Sequence, residues 1–355
     1  MYSEREINII IADSFSELSY EQKNLLLCAA DENWSHGAKC VAALIKSVGE
    51  GVYNKLRTDF CSKSYRAKVM RSLERSKIVC VTRQSGLYPE KLAEIPVPPH
   101  ILYCRGNIQL LQGEKFAVVG SRRTPPATIA ACSKISGEIS QKITVVTGIA
   151  DGADSAALKG ALSSGNLICV LPGGHNHIYP AVNIPLVKEV EKRGLTISEY
   201  PPETSIKKYM FVARNRIIAG LSRGVLVVSA AERSGALITA QYAVDYNRDV
   251  FAFPHSLGIK SGEGCNNLIK EGASLCRNVL DIFLAFGLEY SAEKQNLSPA
   301  ESKVAELLRR EGTSHVSAIA AQTGMAAYEV IAVCSSLEVK GIIAREGGNR
   351  FSAVQ

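Results

Sequence analysis

The feature that most constrains this chain is a series of short apolar segments without alternation, separated by segments with the pattern of helices. These apolar segments show no regular alternation with polar residues, as expected of strands that are buried on both faces. Such strands, alternating with helices, predict a parallel sheet covered by helices on both faces. The predicted strands are 77–82, 101–106, 115–120, 143–147, 167–171, 195–198, 224–229 and 249–253.

The regions on either side of the predicted sheet have different patterns. Residues 1–75 show helical periodicity, punctuated by Gly37, Gly49 and Gly51, and predict a small helical domain of sterile-alpha-motif or helix-hairpin type. From about residue 296, three predicted helices and a hairpin around Gly347-Gly348 indicate a winged helix. We therefore expect domains at 1–75, 76–290 and 296–355. The predicted helices are 21–30, 39–48, 64–73, 125–141, one that follows residues 148–155 and ends at 162, 211–221, 299–310, 315–322 and 327–340.

The charge of the chain is concentrated in its middle. The net charge is +7, and residues 96–295 contain 21 Lys and Arg against 16 Asp and Glu. This excess is a weak indication of an anionic partner for the middle region. Residues 296–355 contain 6 of each sign, which argues against strong phosphate binding there. For the winged helix, a role in protein contacts is at least as well supported as duplex recognition.

The cysteines and the apolar runs indicate a soluble cytoplasmic protein. The ten cysteines include no CxxC pair, and Cys80, Cys104 and Cys169 lie inside predicted strands, where Cys acts as a small core residue. We therefore expect free thiols, as in a reducing cytosol. The sequence contains neither a secretory leader pattern nor an apolar run of 18 residues, so no membrane association is expected.

One basic run lies at the start of a predicted helix. Residues 211–221 carry Arg214, Asn215 and Arg216 in the first turns, and Lys207 and Lys208 precede them. Cations are unfavourable at the positive end of a helix dipole unless an anion is bound there, and free N–H groups favour such an anion. A solvated basic turn is the alternative. The apolar strand that follows indicates that the helix packs on the sheet, which favours the anion site.

Several strand ends carry small residues, at the edge of the sheet where ligands bind in this architecture. These ends are Gly120-Ser121-Arg122, Thr147-Gly148, Pro172-Gly173-Gly174, Ser198-Glu199 and Ser229-Ala230. Arg122 stands where a guanidinium can bind a phosphate with two parallel hydrogen bonds. The dinucleotide motif GxGxxG and the P-loop motif are both absent, so we expect neither a nicotinamide enzyme nor an NTPase, and no cofactor.

The residues that could support catalysis or metal binding do not form a recognisable set. Asp151, Asp154, Glu199 and Glu232 lie near strand ends, but no Ser/His/Asp or Cys/His arrangement can be assembled around them. His175-Asn-His177 lacks the further Cys or His ligands of a metal site. We therefore predict no catalytic residue and no metal.

With these motifs assembled, the chain resembles the DNA processing protein A (DprA/Smf) family of bacteria. The similarity extends over about residues 77–276, and the flanking helical and winged-helix regions also fit the family architecture. The two most specific segments are those at 213–222 and 234–240. The segments that carry the resemblance are YP at 88–89, PP at 98–99, RG at 105–106, VGSR at 119–122, TGIADGAD at 147–154, YP at 179–180, ISEYP at 197–201, ARNRIIAGLS at 213–222, SGALITA at 234–240 and NNLIKEGA at 266–273.

The resemblance implies a Rossmann-like protein that binds incoming single-stranded DNA in natural transformation. It further implies a homodimer that helps load the RecA recombinase onto the strand. Cations along the backbone and aromatic faces for the bases are how proteins hold single strands. The DNA-binding residues implied are Gly120, Ser121, Arg122, Thr147, Gly148, Lys208, Phe211, Arg214, Asn215 and Arg216.

The chain departs from the family pattern at four positions. Leu158 stands where the family usually has His, and Ser229 stands where it usually has Glu. Val212 and His255 replace the second residue of a Phe-Pro and of a Pro-Gly pair. The first two changes remove polar groups near the strand ends, which argues against a subsidiary nucleotide-like ligand but not against the Arg122 site.

Two other classes of function compete with DNA binding. Nucleotide phosphoribohydrolases of the lysine-decarboxylase-like group share this kind of sheet and a PGG turn, which continues as PGGxGTxxE and supplies a catalytic glutamate. Here residues 172–179 read PGGHNHIY and lack both the Gly-Thr pair and the Glu. A protein scaffold is the third interpretation, and it leaves the basic helix start unexplained.

Overall fold

The computed structural model describes residues 2–35, 38–288, 297–340 and 342–353. The chain divides into two compact units, Met1–Gly287 and Leu288–Gln355. Gly37, the expected boundaries at 290 and 296, and residue 341 of the predicted hairpin lie outside the described residues. The predicted division into three domains stays a prediction.

The first unit contains thirteen α-helices within the described residues. Five precede the sheet, at α1 Glu4–Ser14, α2 Tyr20–Asp31, α3 Lys39–Val48, α4 Glu50–Cys61 and α5 Lys63–Arg75. Eight lie between or after its strands, at α6 Glu90–Ala93, α7 Pro126–Ser140, α8 Ala153–Ala161, α9 Ile184–Arg193, α10 Met210–Leu221, α11 Gly235–Asp245, α12 Glu263–Lys270 and α13 Val279–Ala285. The sequence did not predict α1, α4, α6, α9, α11, α12 or α13.

Nine strands form one sheet, in the order β1-β2-β6-β5-β4-β3-β7-β8-β9. Six neighbouring pairs are parallel, whereas β2 runs antiparallel to both β1 and β6. The Rossmann-like, mostly parallel sheet with helices is confirmed. The strands are β1 Val79–Thr82, β2 Ile101–Gly106, β3 Lys115–Gly120, β4 Thr144–Thr147, β5 Leu167–Val170, β6 Leu195–Ser198, β7 Gly224–Ser229, β8 Asp249–Ala252 and β9 Ser274–Leu275.

The two faces of the sheet are both buried, as the continuous apolar strands require. Alternate residues of a strand point to opposite faces. Ala117 and Val119 of β3 join the core that includes α10 and α11. Phe116 points to the opposite face, where its ring packs against those of Phe251 and Phe286 at centroid distances of 5.7 and 5.6 Å. The core on each face fixes the strand register, and so the level at which the strand ends lie.

The N-terminal helices have their own apolar core and are tied to the sheet by a buried polar contact. Trp34, Tyr53 and Phe60 lie in that core. The Tyr103 hydroxyl of β2 donates to Asp13 at 2.8 Å, and the same carboxylate pairs with the Lys23 ammonium at 2.7 Å. The N-terminal helices and the sheet therefore belong to the same compact unit.

The expectation that all cysteines are free is wrong at one pair. Cys80, Cys104 and Cys169 are buried free thiols, as predicted, but Cys28 of α2 and Cys40 of α3 form a disulfide with their Cα atoms 6.0 Å apart. Their separation of 12 residues in sequence gave no motif, because α2 and α3 must first pack side by side to bring the two sulfurs together.

The second unit is a winged helix, as predicted. Its helices are α14 Pro299–Glu311, α15 Val316–Thr323 and α16 Ala327–Val339. A three-stranded sheet has the order β10-β12-β11, with β10 Ser314–His315, β11 Ile343–Arg345 and β12 Arg350–Ala353. Val304, Val330, Leu337 and Phe351 lie in its core.

Glu301 is the central polar contact of the winged helix. Its carboxylate accepts hydrogen bonds from the Lys340 ammonium at 2.6 and 2.8 Å, the Ser336 hydroxyl at 2.7 Å and the Ser298 N–H at 2.8 Å. The hydrogen bonds from Lys340, Ser336 and Ser298 lower the pKa of Glu301 from 4.5 to about 2. Because the folded state favours the ionised form, this contribution is present above the ordinary pKa and is lost as the pH falls towards about 2.

Glu301→Gln is therefore expected to make the winged helix less stable at neutral pH and to flatten its loss of stability between about pH 4.5 and pH 2. Amide hydrogen exchange of residues 299–353 in the full chain measures this directly. Glu306→Gln on the exposed face of α14 is the matched control. Parallel acid profiles for the parent and Glu301→Gln would contradict the assignment.

No single helix among the described residues is long and apolar enough to cross a membrane. One bent pair, Val316–Thr323 with Ala327–Glu338, meets the requirement by length and composition alone. These two helices supply core residues of the winged helix, including Ile319 and Val330.

Candidate nucleic-acid interface

A cleft of about 400 Å³ opens at the carboxyl end of β3, beside the first turns of α10 and α11. The structure brings six of the ten predicted site residues to its walls. These are Gly120, Ser121, Arg122, Phe211, Arg214 and Asn215. Thr147, Gly148, Lys208 and Arg216 are not among the lining residues.

The loop after β3 presents two cations to this cleft. The Ser121 N–H donates to the Ser229 carbonyl at 2.7 Å, which ties the loop to β7. The Thr124 hydroxyl donates to the Ser121 carbonyl at 2.7 Å, and the Arg123 N–H donates to the Ser121 hydroxyl at 3.1 Å. The backbone is thus held, while Arg122 and Arg123 are both exposed. Because the loop backbone is already held, an anion that binds both cations would cost little conformational entropy in the loop.

Phe211 forms the aromatic wall of the cleft. It lies in the first turn of α10 and is partly exposed. The Arg122 guanidinium lies over its ring, 5.2 Å from the centroid. The Tyr179 ring stands against Phe211 at 6.1 Å and nearly perpendicular to it. A cation and an aromatic face therefore occupy the same wall, which is the combination that holds a phosphate and its base.

Arg214 lies behind the cleft as a buried cation. Its guanidinium is 3.9 Å from the Asp154 carboxylate, and both side chains are less than a tenth exposed. It also donates to the Val170 carbonyl and, at 3.2 Å, to the Asn215 side-chain oxygen. Burial raises the pKa of Asp154, with Arg214 opposing the shift, and burial lowers the pKa of Arg214. Arg214 therefore braces the wall from inside rather than facing solvent.

Gly148 makes room for this buried pair. A Cβ at Gly148 would collide with the Arg214 guanidinium and the Asp154 carboxylate. Thr147, the last residue of β4, is fully buried. These two predicted site residues thus lie beneath the cleft, and the need for glycine is explained by packing.

Arg216 and Lys208 are placed differently from the other cations. Arg216 pairs with the Glu199 carboxylate at the end of β6, and both side chains are largely buried. Burial raises the pKa of Glu199, with Arg216 opposing the shift. Lys208 is exposed, two residues before α10. The structure therefore does not place Arg216 in the cleft floor, and it leaves Lys208 at the surface outside the lining.

Three of the first four N–H groups of α10, which the sequence predicted to be free, are hydrogen-bonded locally. Met210 donates to the Lys207 carbonyl, and Val212 and Ala213 both donate to the Tyr209 carbonyl, at 3.0–3.1 Å. A tight turn before the helix satisfies these donors locally. The positive character of the cleft therefore comes mainly from Arg122 and Arg123.

Three residues that line the cleft, Arg123, Ser234 and Thr239, were not predicted from the sequence. Arg123 was not among the predicted site residues, although it adjoins Arg122 in the sequence. Ser234 is the N-cap of α11, where its hydroxyl accepts a hydrogen bond from the Ala236 N–H at 3.3 Å, and Thr239 also lines the cleft. A Ser before Gly-Ala is a recognisable N-cap, so this signal was available.

Among the other acidic and histidine candidates, Asp151 and His175 have structural contacts, whereas Glu232 and His177 are exposed. Asp151 accepts from the Asn183 amide at 3.1 Å. His175 is buried beside the Thr196 carbonyl at 3.3 Å, and burial lowers its pKa to about 3. In the described part of the chain, one group has ligand atoms close enough together for a metal ion, namely Cys28, Glu32 and Cys40. Its two sulfurs are joined in the disulfide and are not free to ligate.

The positions that depart from the family pattern are accommodated locally. Leu158 is fully buried in α8. The Ser229 hydroxyl donates to the Ser261 carbonyl at 2.9 Å, and the His255 ring is 3.0 Å from the Val228 carbonyl. Val212 is 43% exposed at the cleft. Leu158 is therefore accommodated by packing, and Ser229 and His255 by hydrogen bonds.

The fold and this cleft define a Rossmann-like protein with a basic, aromatic-walled cleft at the carboxyl edge of its sheet, followed by a winged helix. The family model described as DNA recombination-mediator protein A matches residues 79–287, and the DprA winged helix domain matches residues 289–349. The chain belongs to the DprA/Smf family, whose members process DNA and mediate recombination.

Individual relatives agree with this assignment. The chain is 40% identical over 200 residues to DNA processing protein DprA of Streptococcus pneumoniae, covering 56% of this chain and 71% of that protein. The crystal structure of a DprA from S. pneumoniae aligns with a TM-score of 0.69 at 32% identity, covering 82% of this chain and all of that one. The structure of DprA from Helicobacter pylori, studied for its single-stranded DNA binding mode, aligns with a TM-score of 0.55 at 29% identity. The alignment covers 60% of this chain and 99% of that one.

Proposed function

We propose that this protein binds single-stranded DNA in the cleft between the β3 loop and α10, without strong sequence preference. The observation that carries the proposal is the pairing of the exposed Arg122 guanidinium with the Phe211 ring at 5.2 Å. The cation suits a phosphate, and the ring suits an unstacked base. A duplex keeps its bases stacked inside and presents no face to such a ring. The similarity to the H. pylori protein supports the same substrate.

The cleft supports binding better than hydrolysis. Among the described residues that line it, Asp154 is the single carboxylate, and it is paired with the buried Arg214. Neither His nor Cys is found among those lining residues, so the hydroxyls of Ser121 and Ser234 have no base beside them there. We therefore assign the protein a binding role rather than an enzymatic one, and it needs no cofactor for that role.

The cellular role follows from the family. We propose that the protein acts in the cytoplasm, away from membranes, where it protects DNA that enters during natural transformation and helps load RecA onto it. The description of the matching family as a recombination mediator supports a recombinase partner. The homodimer is proposed on the resemblance to the family. No function at the DNA is assigned to the winged helix, whose charges balance.

Binding of a fluorescent single strand, compared with a duplex of equal length over a salt series, tests the proposal. We expect the single strand to bind more tightly and its affinity to fall steeply with salt, because Arg122 and Arg123 displace counterions from phosphates. Fluorescence anisotropy provides the measurement. An affinity that does not change with salt, or a preference for duplex, would refute the proposal.

A further inference from the structure

The loop after β5 carries an exposed tyrosine next to the aromatic wall of the cleft. Tyr179 is 56% exposed, although its ring lies 6.1 Å from that of Phe211. The two rings are inclined at 80°. Tyr179 lies outside the residues that line the cleft, so the aromatic surface continues beyond the cleft's own walls.

Contacts on both sides hold this loop in place. On one side, Gly174 and Asn176 donate backbone N–H groups to the Thr204 and Pro202 carbonyls, each at 3.0 Å. On the other side, the buried Asn183 amide donates to the Ile149 carbonyl at 3.0 Å. The backbone on either side of Tyr179 is thus anchored to neighbouring segments, and the ring can be presented without a large ordering cost.

A row of groups that suits a nucleic acid runs from the β3 loop to this tyrosine. The Arg122 guanidinium, the Phe211 ring and the Tyr179 ring follow one another at 5.2 and 6.1 Å. Single exposed aromatic residues are common on protein surfaces and need no special role. An exposed ring on an anchored loop, in contact with the proposed base-stacking ring, is a more specific arrangement.

We propose that Tyr179 forms a second nucleobase subsite, beside the one at Phe211. This inference rests on the proposed function, because the strand reaches Tyr179 only if it enters the cleft. The next base leaves the Phe211 face and stacks on Tyr179. Since the two rings are nearly perpendicular, the strand turns between these bases. The ligand is an unpaired nucleobase of any kind, because every base offers a π-face.

Substitutions at Tyr179 test this subsite in the full chain. Tyr179→Ala and Tyr179→Leu are expected to weaken the binding of an oligothymidylate about five- to a hundredfold, because each removes the stacking face. Tyr179→Phe keeps the ring and should bind like the parent. The slope of affinity against salt should be the same in all three variants, because no phosphate contact is lost. Circular dichroism verifies the fold of each variant.

Abasic nucleotides identify the base that occupies the subsite. One abasic position, moved stepwise along the oligonucleotide, should weaken binding to the parent at the nucleotide that stacks on Tyr179. The same substitution should have little further effect on Tyr179→Ala, because the partner ring is already gone. Additive losses at every position would show that Tyr179 does not hold a base.

The outcomes separate this inference from the proposed function. If Tyr179→Ala binds like the parent while Phe211→Ala is weakened, the second subsite is wrong and the cleft assignment stands. If the parent itself shows no preference for single strands, the proposed function fails. A lowered salt slope in Tyr179→Ala would also overturn the subsite, since it would show a loss of phosphate contacts instead of stacking.

Discussion

Replacement of Asp154 with alanine is expected to lower the free energy of unfolding by about 3–5 kcal/mol, because it leaves the Arg214 guanidinium buried without its carboxylate. The two side chains are 5% and 8% exposed, with 3.9 Å between the charged groups. Burial lowers the pKa of Arg214, because the charged guanidinium loses solvation by water. Equilibrium urea denaturation of the full chain, followed by circular dichroism, provides the measurement.

An exposed pair with the same separation provides the control. Arg223 and Glu114 also approach to 3.9 Å, but their side chains are 38% and 51% exposed. Glu114→Ala should therefore change stability by less than about 1 kcal/mol. Asp154→Asn keeps the shape of the side chain, so its loss of unfolding free energy should lie between those of Asp154→Ala and Glu114→Ala. Equal stabilities for Asp154→Ala and Glu114→Ala would show that Arg214 is not buried as a paired charge.

Phe211→Ala is expected to weaken single-strand binding by about 1–3 kcal/mol, roughly five- to a hundredfold, without changing its salt slope. Arg122→Ala should instead lower the slope by about one unit, because one phosphate contact is lost. The two variants therefore separate stacking from charge within a single wall of the cleft. Anisotropy titrations at several salt concentrations measure both quantities.

Conservative variants sharpen this comparison. Phe211→Tyr keeps the aromatic face and should retain affinity, whereas Phe211→Leu should lose it. Arg122→Lys keeps the charge and should retain most of the dependence of affinity on salt. It should bind more weakly than the parent, because a lysine cannot form the bidentate hydrogen bonds of a guanidinium. Thermal stability should change little in Arg122→Ala, since its side chain is exposed. If Arg122→Ala and Phe211→Ala both bind like the parent, the DNA lies elsewhere.

The positions of two residues of the candidate site could be predicted from the residues next to them in the sequence. A glycine at the end of a buried strand, followed by Ser121 and Arg122, placed an exposed cation at the ligand edge of the sheet. Phe211 could be assigned to the first turn of α10 from helical periodicity. Both positions could be predicted from neighbouring residues, whereas the DNA-binding role of Phe211 came from the family resemblance. The structure brings Arg122 and Phe211 together.

The directions of the other cations could not be predicted. Arg214 and Arg216 turn inward because Asp154 and Glu199, which lie far away in sequence, offer carboxylates beneath the surface. Lys208, also predicted to bind DNA, lies at the surface outside the cleft lining. Helical position tells which residues share a face, but a buried guanidinium goes where a partner offsets its desolvation.

By itself, the sequence determined the covered, mostly parallel sheet, the winged helix and the exposed cation at the end of β3. Apolar runs and turn residues encode these features over short distances. Only the tertiary structure decided the antiparallel placement of β2, the disulfide between Cys28 and Cys40, and the aromatic row that joins Tyr179 to Phe211. Each of these depends on contacts between segments distant in sequence, which form only when the whole sheet is assembled and its helices are packed.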